Sequence, residues 1–424
     1  YTITTGHQLN LLTGPLYFIY KIISTINLSE TLKKNYPEFD FVPIYWMASE
    51  DHDFDEINNF SFQGSKFKWS SNQTGVVGKF KLDSIDNVLS EFEKFVSDFP
   101  YGNEIIKIFR ECYLNSNDLS NATRKLVNIL FAKYGLIIID ANNKNLKSLF
   151  RDLIKKELNE KFIFNKSKKS IKRLNELKYN VQANPREINL FYIHDKKRER
   201  IIEKGNLFQT SNGSKKWNLE EIQDDVNLNP EKFSPNVLFR PIFQEFILPN
   251  ICYVGGPAEV AYWLELKSVF DSLNLTFPLI LNRNSALILE KKQIDKLNKL
   301  NVSIEEIFLP KKQLKENLVR KYSKLKLDFT NLKQQLNNQF SELKDKAIHT
   351  DKSFIGALNA QEQKQINGLK MLEKRLLKSE QRIHQDKINK VLEIRDKLFP
   401  GGKPQERISN FFEFYKIHGP NMID

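Results

Sequence analysis

Residues 43 to 56 read Pro-Ile-Tyr-Trp-Met-Ala-Ser-Glu-Asp-His-Asp-Phe-Asp-Glu, an apolar run that stops abruptly in five carboxylates and a histidine. A run of roughly six apolar residues suits a strand covered on both faces, as in a parallel sheet. In open α/β sheets ligands bind just beyond the carboxyl ends of such strands. The pattern therefore predicts an α/β fold and places candidate chemistry on Glu50, Asp51, His52 and Asp53.

The start of the chain carries the same logic. Tyr1-Thr-Ile-Thr-Thr5 reads as a strand, Gly6 to Pro15 as the loop after it, and Leu16 to Leu32 has apolar residues at helical spacing. Thr13 is the expected N-cap, with Pro15 in the first turn. The order strand, Gly/His loop, helix, strand, acidic loop is half of a nucleotide-binding unit. It has neither a G-x-G-x-x-G fingerprint nor a Walker sequence, which argues against an ordinary dehydrogenase or P-loop kinase.

Further strands are expected at 136–140, 251–254 and 277–281, alternating with helical stretches, so the sheet should be parallel with helices on both faces. The polar stretch 151–235 reads as an inserted connecting segment, helical at first and then forming hairpins around Asn189–Ile193 and Gly205–Thr210. Phe60 to Leu82 reads as a smaller β excursion. The core is thus expected in two parts, 1–150 and 236–290. Beyond them 291–399 should be a coiled-coil domain, and 400–424 a C-terminal helix returning to the core through Phe411, Phe412 and Tyr415.

In the coiled-coil stretch Leu325, Phe329, Leu332, Leu336, Gln339 and Leu343 keep alternating four-three spacing. Leu358, Gln365, Leu369, Leu372, Leu376 and Ile383 resume it after residues 349–353. This predicts an antiparallel helical hairpin that serves association.

At 424 residues and 40% hydrophobic composition the chain supports two or three packed domains. No run reaches the roughly 18–20 apolar residues of a membrane span. Two cysteines, Cys112 and Cys252, fit a reducing cytoplasm and are too few for a disulfide scaffold. The chain begins at Tyr1, so a preceding segment is expected. The net charge of +13 is uneven: residues 291–399 hold 25 Lys/Arg against 14 Asp/Glu, residues 151–235 hold 19 against 13, and the remainder is slightly acidic. A basic appendage on an acidic core is not a phosphate-backbone platform, so nucleic acid is not an expected partner.

The acidic cluster lacks a second His or Cys spaced to close a coordination shell, so no metal site, and no zinc, is expected. Clustered carboxylates favour an amine or sugar hydroxyls, while Asp55 and Glu56 read as the cap of the next helix. His7, near a helix N-terminus, could hold a phosphate or carboxylate. A third rim is Cys252-Tyr-Val-Gly-Gly-Pro-Ala-Glu-Val-Ala-Tyr-Trp263, where Gly255 and Gly256 allow close approach of a ligand and Glu259 should face out of the helix start. Arg240 and Arg283 are candidate forks for a carboxylate or phosphate. Cys252 reads as a core thiol, and His194, His349, His384 and His418 receive no role.

Four separated motifs carry a family resemblance: Thr-Gly-His-Gln-Leu-Asn-Leu-Leu-Thr-Gly-Pro-Leu-Tyr at 5–17, Glu-Asp-His-Asp-Phe-Asp-Glu-Ile-Asn at 50–58, Tyr-Val-Gly-Gly-Pro-Ala-Glu-Val-Ala-Tyr-Trp at 253–263 and Gln-Glu-Arg at 405–407. Together they resemble the BshC family, cysteine ligases of bacillithiol synthesis. The resemblance implies a nucleotidylyltransferase-like Rossmann core interrupted by connecting segments, and a C-terminal coiled coil that makes a homodimer. It also implies a cytoplasmic activity joining cysteine to the glucosamine of glucosaminyl malate through an amide bond. ATP with Mg would form a cysteinyl-adenylate.

On that reading His7 steadies the α-phosphate, His52 takes a proton from the attacking amine, and Glu50, Asp51 and Asp53 bind an amino group. Arg240 or Arg283 pairs with the malate carboxylates. Gln8, Asn10, Thr13, Gly14, Tyr17, Trp46, Tyr253, Gly255, Gly256, Glu259, Tyr262 and Trp263 complete the substrate-binding set. The competing expectations are a non-catalytic scaffold on a nucleotide-binding fold and a nucleotidylyltransferase for another substrate.

Overall fold

The computed structural model describes residues 1–349 and 352–424. Each of the five apolar runs forms a strand: β1 (Thr2–His7), β2 (Val42–Met47), β3 (Ile137–Asp140), β4 (Asn250–Gly255) and β5 (Leu279–Asn282). They lie in the order β5-β4-β1-β2-β3, and every neighbouring pair is parallel. The chain moves outward from β1 through β2 to β3, then returns to the other side of β1 for β4 and β5. The crevice between β1 and β4 is therefore the topological switch point, where such sheets bind ligands. Ile3, Ile44, Tyr45, Trp46 and Met47 are all buried, which is why the central strands read as continuous apolar runs.

The connection from β1 to α1 (Tyr17–Asn35) differs from the expected capped turn. Residues 11–13 form a short 3-10 turn in which Leu12 and Thr13 take left-handed φ of 49° and 70°, and α1 starts only at Tyr17. Thr13 caps nothing; its hydroxyl is buried without a partner. The turn is held from elsewhere in the chain: the Asn410 side-chain amide donates to the carbonyls of Leu12 and Gly14, each at 2.8 Å, and the Leu12 amide donates to the Tyr113 hydroxyl at 2.9 Å. Gly14, at φ 58°, has no room for a side chain, because a Cβ there would sit 2.6 Å from the Cβ of Asn10.

The β excursion is a hairpin of Asn59–Phe62 and Ser65–Lys68, turning through Gln63 and Gly64 at φ 50° and 83°, as a two-residue type I′ turn requires. The connecting segment contains the expected hairpins. Its strands Phe233–Pro235, Leu190–His194, Lys197–Lys204, Leu207–Thr210 and Lys216–Trp217 form, in that spatial order, an antiparallel sheet. Two helices then flank β4: α2 (Phe239–Ile247) and α3 (Pro257–Leu264).

The chain divides into two compact units, 1–286 with 406–424, and 287–405. In the second, α4 (Thr330–Ala347) and α5 (Lys352–Ile383) run antiparallel, with Lys333 paired to Glu373 at 2.6 Å and Lys344 paired to Glu362. The turn expected at 349–353 includes Thr350 and Asp351, which lie outside the described residues. The packed seam consists of Phe340, Ala347 and Leu358, with Leu336 and Ile355 beside it. It bears out Leu336 and Leu358 of the heptad reading and corrects it at Leu325, Leu332, Leu343, Leu372 and Ile383, which are exposed.

In the first unit the C-terminal segment buries Phe411, Phe412 and Tyr415, and Phe412 meets the ring of Phe109 edge-on at 4.6 Å.

Candidate active site

A cleft of about 680 Å³ opens beyond the carboxyl ends of β1, β2 and β4, walled on its far side by the inserted antiparallel sheet. Each strand delivers residues where its ladder ends: Gly6 and His7 from β1, Trp46 and the acidic loop from β2, Tyr253 from β4. The volume is that of a small-molecule site.

At the β1/β4 end the charges are organised by Lys21 of α1, only 4% exposed. Its ammonium donates to the Gly6 carbonyl at 2.8 Å and pairs with Glu259. Burial lowers the Lys21 pKa, and Glu259 opposes that shift. Glu259 folds back onto its own helix start instead of facing out. It accepts from the Gly256 amide and the Tyr253 hydroxyl, both at 2.8 Å. Burial would raise its carboxyl, but Lys21 and these hydrogen bonds outweigh burial and hold it below the ordinary range.

Arg240 of α2 lies 5.3 Å from the Tyr253 ring centre and 5.9 Å from that of Trp263. It donates to Gln244 at 2.9 Å and to the Tyr262 hydroxyl at 3.4 Å. Its guanidinium is held over two aromatic faces with donors to spare. Gly6 keeps this corner open: a Cβ there would sit 3.0 Å from the Tyr253 hydroxyl.

His7 is the last residue of β1, not a loop residue. It is buried, stacked on Phe18 at 4.8 Å and edge-on to Tyr17 at 5.3 Å, and its Nε2 has no partner. Burial, then Lys21 and Arg283, drives its pKa well below 6.5. The imidazole is neutral near pH 7, so it can accept a proton or polarise a group but supplies no positive charge to a phosphate.

On the acidic loop only part of the cluster faces the cleft. Glu50 lines it but is already paired with Lys147, which is 1% exposed and also donates to the Phe233 carbonyl at 2.8 Å. Lys147 thus links the loop to the inserted segment at Phe233 and leaves Glu50 unavailable as an amine receptor. Asp51 accepts from Gln8 at 2.6 Å and from the His52 amide at 2.7 Å. Burial would raise its pKa, yet the hydrogen bonds from His52 and Gln8 hold it well below the usual carboxylate range.

His52 is half-exposed and sits on a separate shallow groove with Asp53. Its Nδ1 lies 3.1 Å from an Arg198 guanidinium nitrogen and 3.5 Å from the Asp51 carboxylate. Asp53 caps the short helix Phe54–Ile57 by accepting from the Glu56 amide, the role expected of Asp55 and Glu56.

Of the remaining candidates, Gln8, Tyr17, Trp46, Tyr253, Glu259 and Tyr262 face the cleft. Trp263 lies beneath, stacked on Tyr253 at 4.5 Å. Gly255 and Gly256 shape the turn into α3, the latter as its N-cap. Asn10, Thr13 and Gly14 belong to the buried turn under Asn410. Arg283 is not free to bind a ligand: it makes a bidentate pair with Glu406, at 2.6 and 2.9 Å, which anchors the C-terminal segment.

Sequence reasoning missed Lys21, and it missed Arg186, Arg198 and Arg200 of the inserted segment, all lining the cleft. Lys21 was detectable in principle, as a lysine at an otherwise buried position of α1. The arginines had no such signal, being set in a charged, polar stretch. Among the described residues no His/Cys/Asp/Glu cluster suits a metal ion, and no helix is long and apolar enough to cross a membrane.

Two family models cover almost the whole chain. "Bacillithiol biosynthesis BshC, N-terminal Rossmann-like domain" matches residues 1–284, and "Bacillithiol biosynthesis BshC, C-terminal coiled-coil domain" matches residues 286–424. Similar proteins named "Putative cysteine ligase BshC" occur in Flavobacterium johnsoniae (47% identical over 423 residues), Flavobacterium psychrophilum (48% over 425) and Christiangramia forsetii (47% over 428). Each match spans 100% of this chain and 80% of the relative.

Proposed function

Because the chain belongs to the BshC family of bacillithiol biosynthesis, we propose that it is a ligase joining the carboxyl of L-cysteine to the amino group of glucosaminyl malate, in the cleft at the β1/β4 switch point. The observation that carries this reading is the charge layout of that cleft. Four guanidiniums and the Lys21 ammonium surround a site in which Glu259 and Asp51 are held ionised. Such a site suits substrates that bear carboxylates and an amine together.

Amide formation from a free carboxylate needs activation. Mg-ATP supplies it when the cysteine carboxylate attacks the α-phosphorus and pyrophosphate leaves, giving cysteinyl-adenylate. The glucosamine nitrogen then attacks the acyl carbon, AMP departs with the C–O bonding pair, and the nitrogen loses a proton. Arg240 and Lys21 stabilise negative charge as it develops at the β1/β4 end. His7, neutral and with its Nε2 unpartnered, accepts a hydrogen bond from the attacking amine. Asp51, ionised and at the cleft, receives the ammonium of cysteine.

We further propose that the reaction is cytoplasmic, where the buried thiols Cys112 and Cys252 stay reduced. A homodimer would cover the exposed leucines of α4 and α5.

The test is to incubate the protein with glucosaminyl malate and cysteine, with and without Mg-ATP, and to follow the amide product by mass spectrometry. Product only with ATP supports the adenylate route. Product without ATP removes that route, and no product from folded protein in either tube overturns the ligase reading.

A further inference from the structure

The inserted sheet brings three arginines to the cleft that no motif pointed to. Arg198 and Arg200 lie two residues apart on one strand and so share a face; both sit over the ring of Phe191, at 3.9 and 5.8 Å. Arg186 enters from the loop before the neighbouring strand. Its backbone is gripped on both sides by Asn189, whose side chain accepts from the Arg186 amide at 3.1 Å and donates to its carbonyl at 2.7 Å. Asn189 is in turn held by the buried Glu157 carboxylate at 2.9 Å.

Among the described residues none of these three guanidiniums has a carboxylate within 4.0 Å. Arg198 donates only to neutral partners, the Ser234 hydroxyl, His52 Nδ1 and the Pro235 carbonyl, leaving two of its N–H groups free. The nearest acids, Glu50 and Asp51, act on Arg198 only across space, since Glu50 is paired with Lys147 and Asp51 accepts from Gln8 and the His52 amide. Guanidiniums gathered at a concave wall, none of them in contact with a carboxylate, constitute a site for an anion with more than one charge.

Resting on the ligase reading, we infer that Arg186, Arg198 and Arg200 form the dicarboxylate subsite. The two carboxylates of the malyl group dock on the inserted sheet, and the amino sugar extends from there toward the strand ends where its nitrogen reacts. The inserted segment thereby selects the acceptor, and the Rossmann-like core handles the activated cysteine. Recognition of malate moves away from Arg283, which Glu406 holds, and away from Arg240, which is engaged by Gln244 and the Tyr262 hydroxyl beside the Tyr253 ring.

The same guanidiniums could attract phosphates, so the test separates the two. The full chain and its Arg200→Gln and Arg200→Lys variants are titrated calorimetrically with malate alone and with Mg-ATP alone, and the KM of each substrate is measured. Melting temperatures serve as the fold control. The inference expects Arg200→Gln to weaken malate binding and raise KM for glucosaminyl malate at least tenfold, with partial rescue by lysine and unchanged KM for cysteine and ATP. Loss of Mg-ATP affinity with malate binding intact would overturn it in favour of a phosphate site. If no ligation is detected at all, malate binding that is lost in Arg200→Gln still upholds the subsite while the ligase reading fails. A wild-type chain that forms product yet binds no malate sinks the inference alone.

Discussion

Replacing Lys147 with methionine removes one half of a buried ion pair and leaves the Glu50 carboxylate stranded at the edge of the cleft. Breaking such a pair from one side costs ~3–5 kcal/mol, because the remaining charge is desolvated and unpaired. The Phe233 carbonyl also loses its donor at 2.8 Å, roughly another 1 kcal/mol. For a unit of this size each kcal/mol lowers the melting temperature by about 1–2 °C, extrapolating the size trend, so Lys147→Met should melt on the order of 5 °C or more below the parent.

The pH dependence carries the sharper signature. Burial already raises the folded-state pKa of Glu50 above 4.5, against the pull of Lys147. A raised acid favours the folded state while protonated, and that advantage is lost as pH rises from the ordinary carboxylate range through the folded-state value. Removing Lys147 widens this window upward. The variant should therefore lie closest to the parent in acid and furthest from it at neutral pH. Adding Glu50→Gln should recover most of the loss, since no stranded charge remains. Scanning calorimetry from pH 5 to 8 would check this. A single variant within about 1 °C of the parent across that range, or a double variant no better than the single, would refute the argued role of the pair.

Three further outcomes follow from the same structure. Arg283→Lys cannot reproduce the bidentate contact with Glu406 and should cost ~1–3 kcal/mol; limited proteolysis should then cut the 406–424 segment faster than in the parent. Burial pushes the Glu157 carboxyl up to about 7. Its contribution therefore favours the folded state at low pH and falls as pH rises from about 4.5 to about 7; a Glu157→Gln variant should lose that slope in a pH series of denaturation midpoints. Substituting Leu332, Leu343 and Leu372 together with lysine should leave the α4–α5 hairpin helical, since all three are exposed, but should halve the mass seen by light scattering if this face pairs two copies.

The sheet was legible chiefly because its central strands are buried on both faces. Ile44 to Met47 and Ile251 to Val254 stand out as apolar runs whatever surrounds them. The acidic end of β2 was legible for the same reason, as an abrupt change of character. What the sequence hid was long-range pairing. Nothing local tells that Arg283 belongs to Glu406, 123 residues away, or that Glu50 is neutralised by Lys147, 97 residues away.

The turn before α1 was misread because its hydrogen bonds come from Asn410 instead of a local cap. Arg186, Arg198 and Arg200 looked like a solvated charged stretch until the inserted sheet folded over the strand ends. The coiled-coil seam was legible at Leu336 and Leu358 and not elsewhere, because four-three spacing marks a stripe without saying which part of it meets the partner helix. Phe340 and Ala347 face it, while Leu332 and Leu343 do not.

The central claim is that the β1/β4 end of the cleft is where the cysteine carboxyl is activated and transferred. Arg240 is its most exposing probe, because the guanidinium lies over Tyr253 and Trp263 and, among the described residues, forms no ion pair whose loss would unfold the chain. The decisive measurement is the rate of amide formation by Arg240→Gln relative to the parent at saturating substrates, with matched melting curves. The account predicts a fall of about a hundredfold or more, the loss typical of one positioned charge-stabilising donor. A folded variant that ligates within twofold of the parent would contradict it.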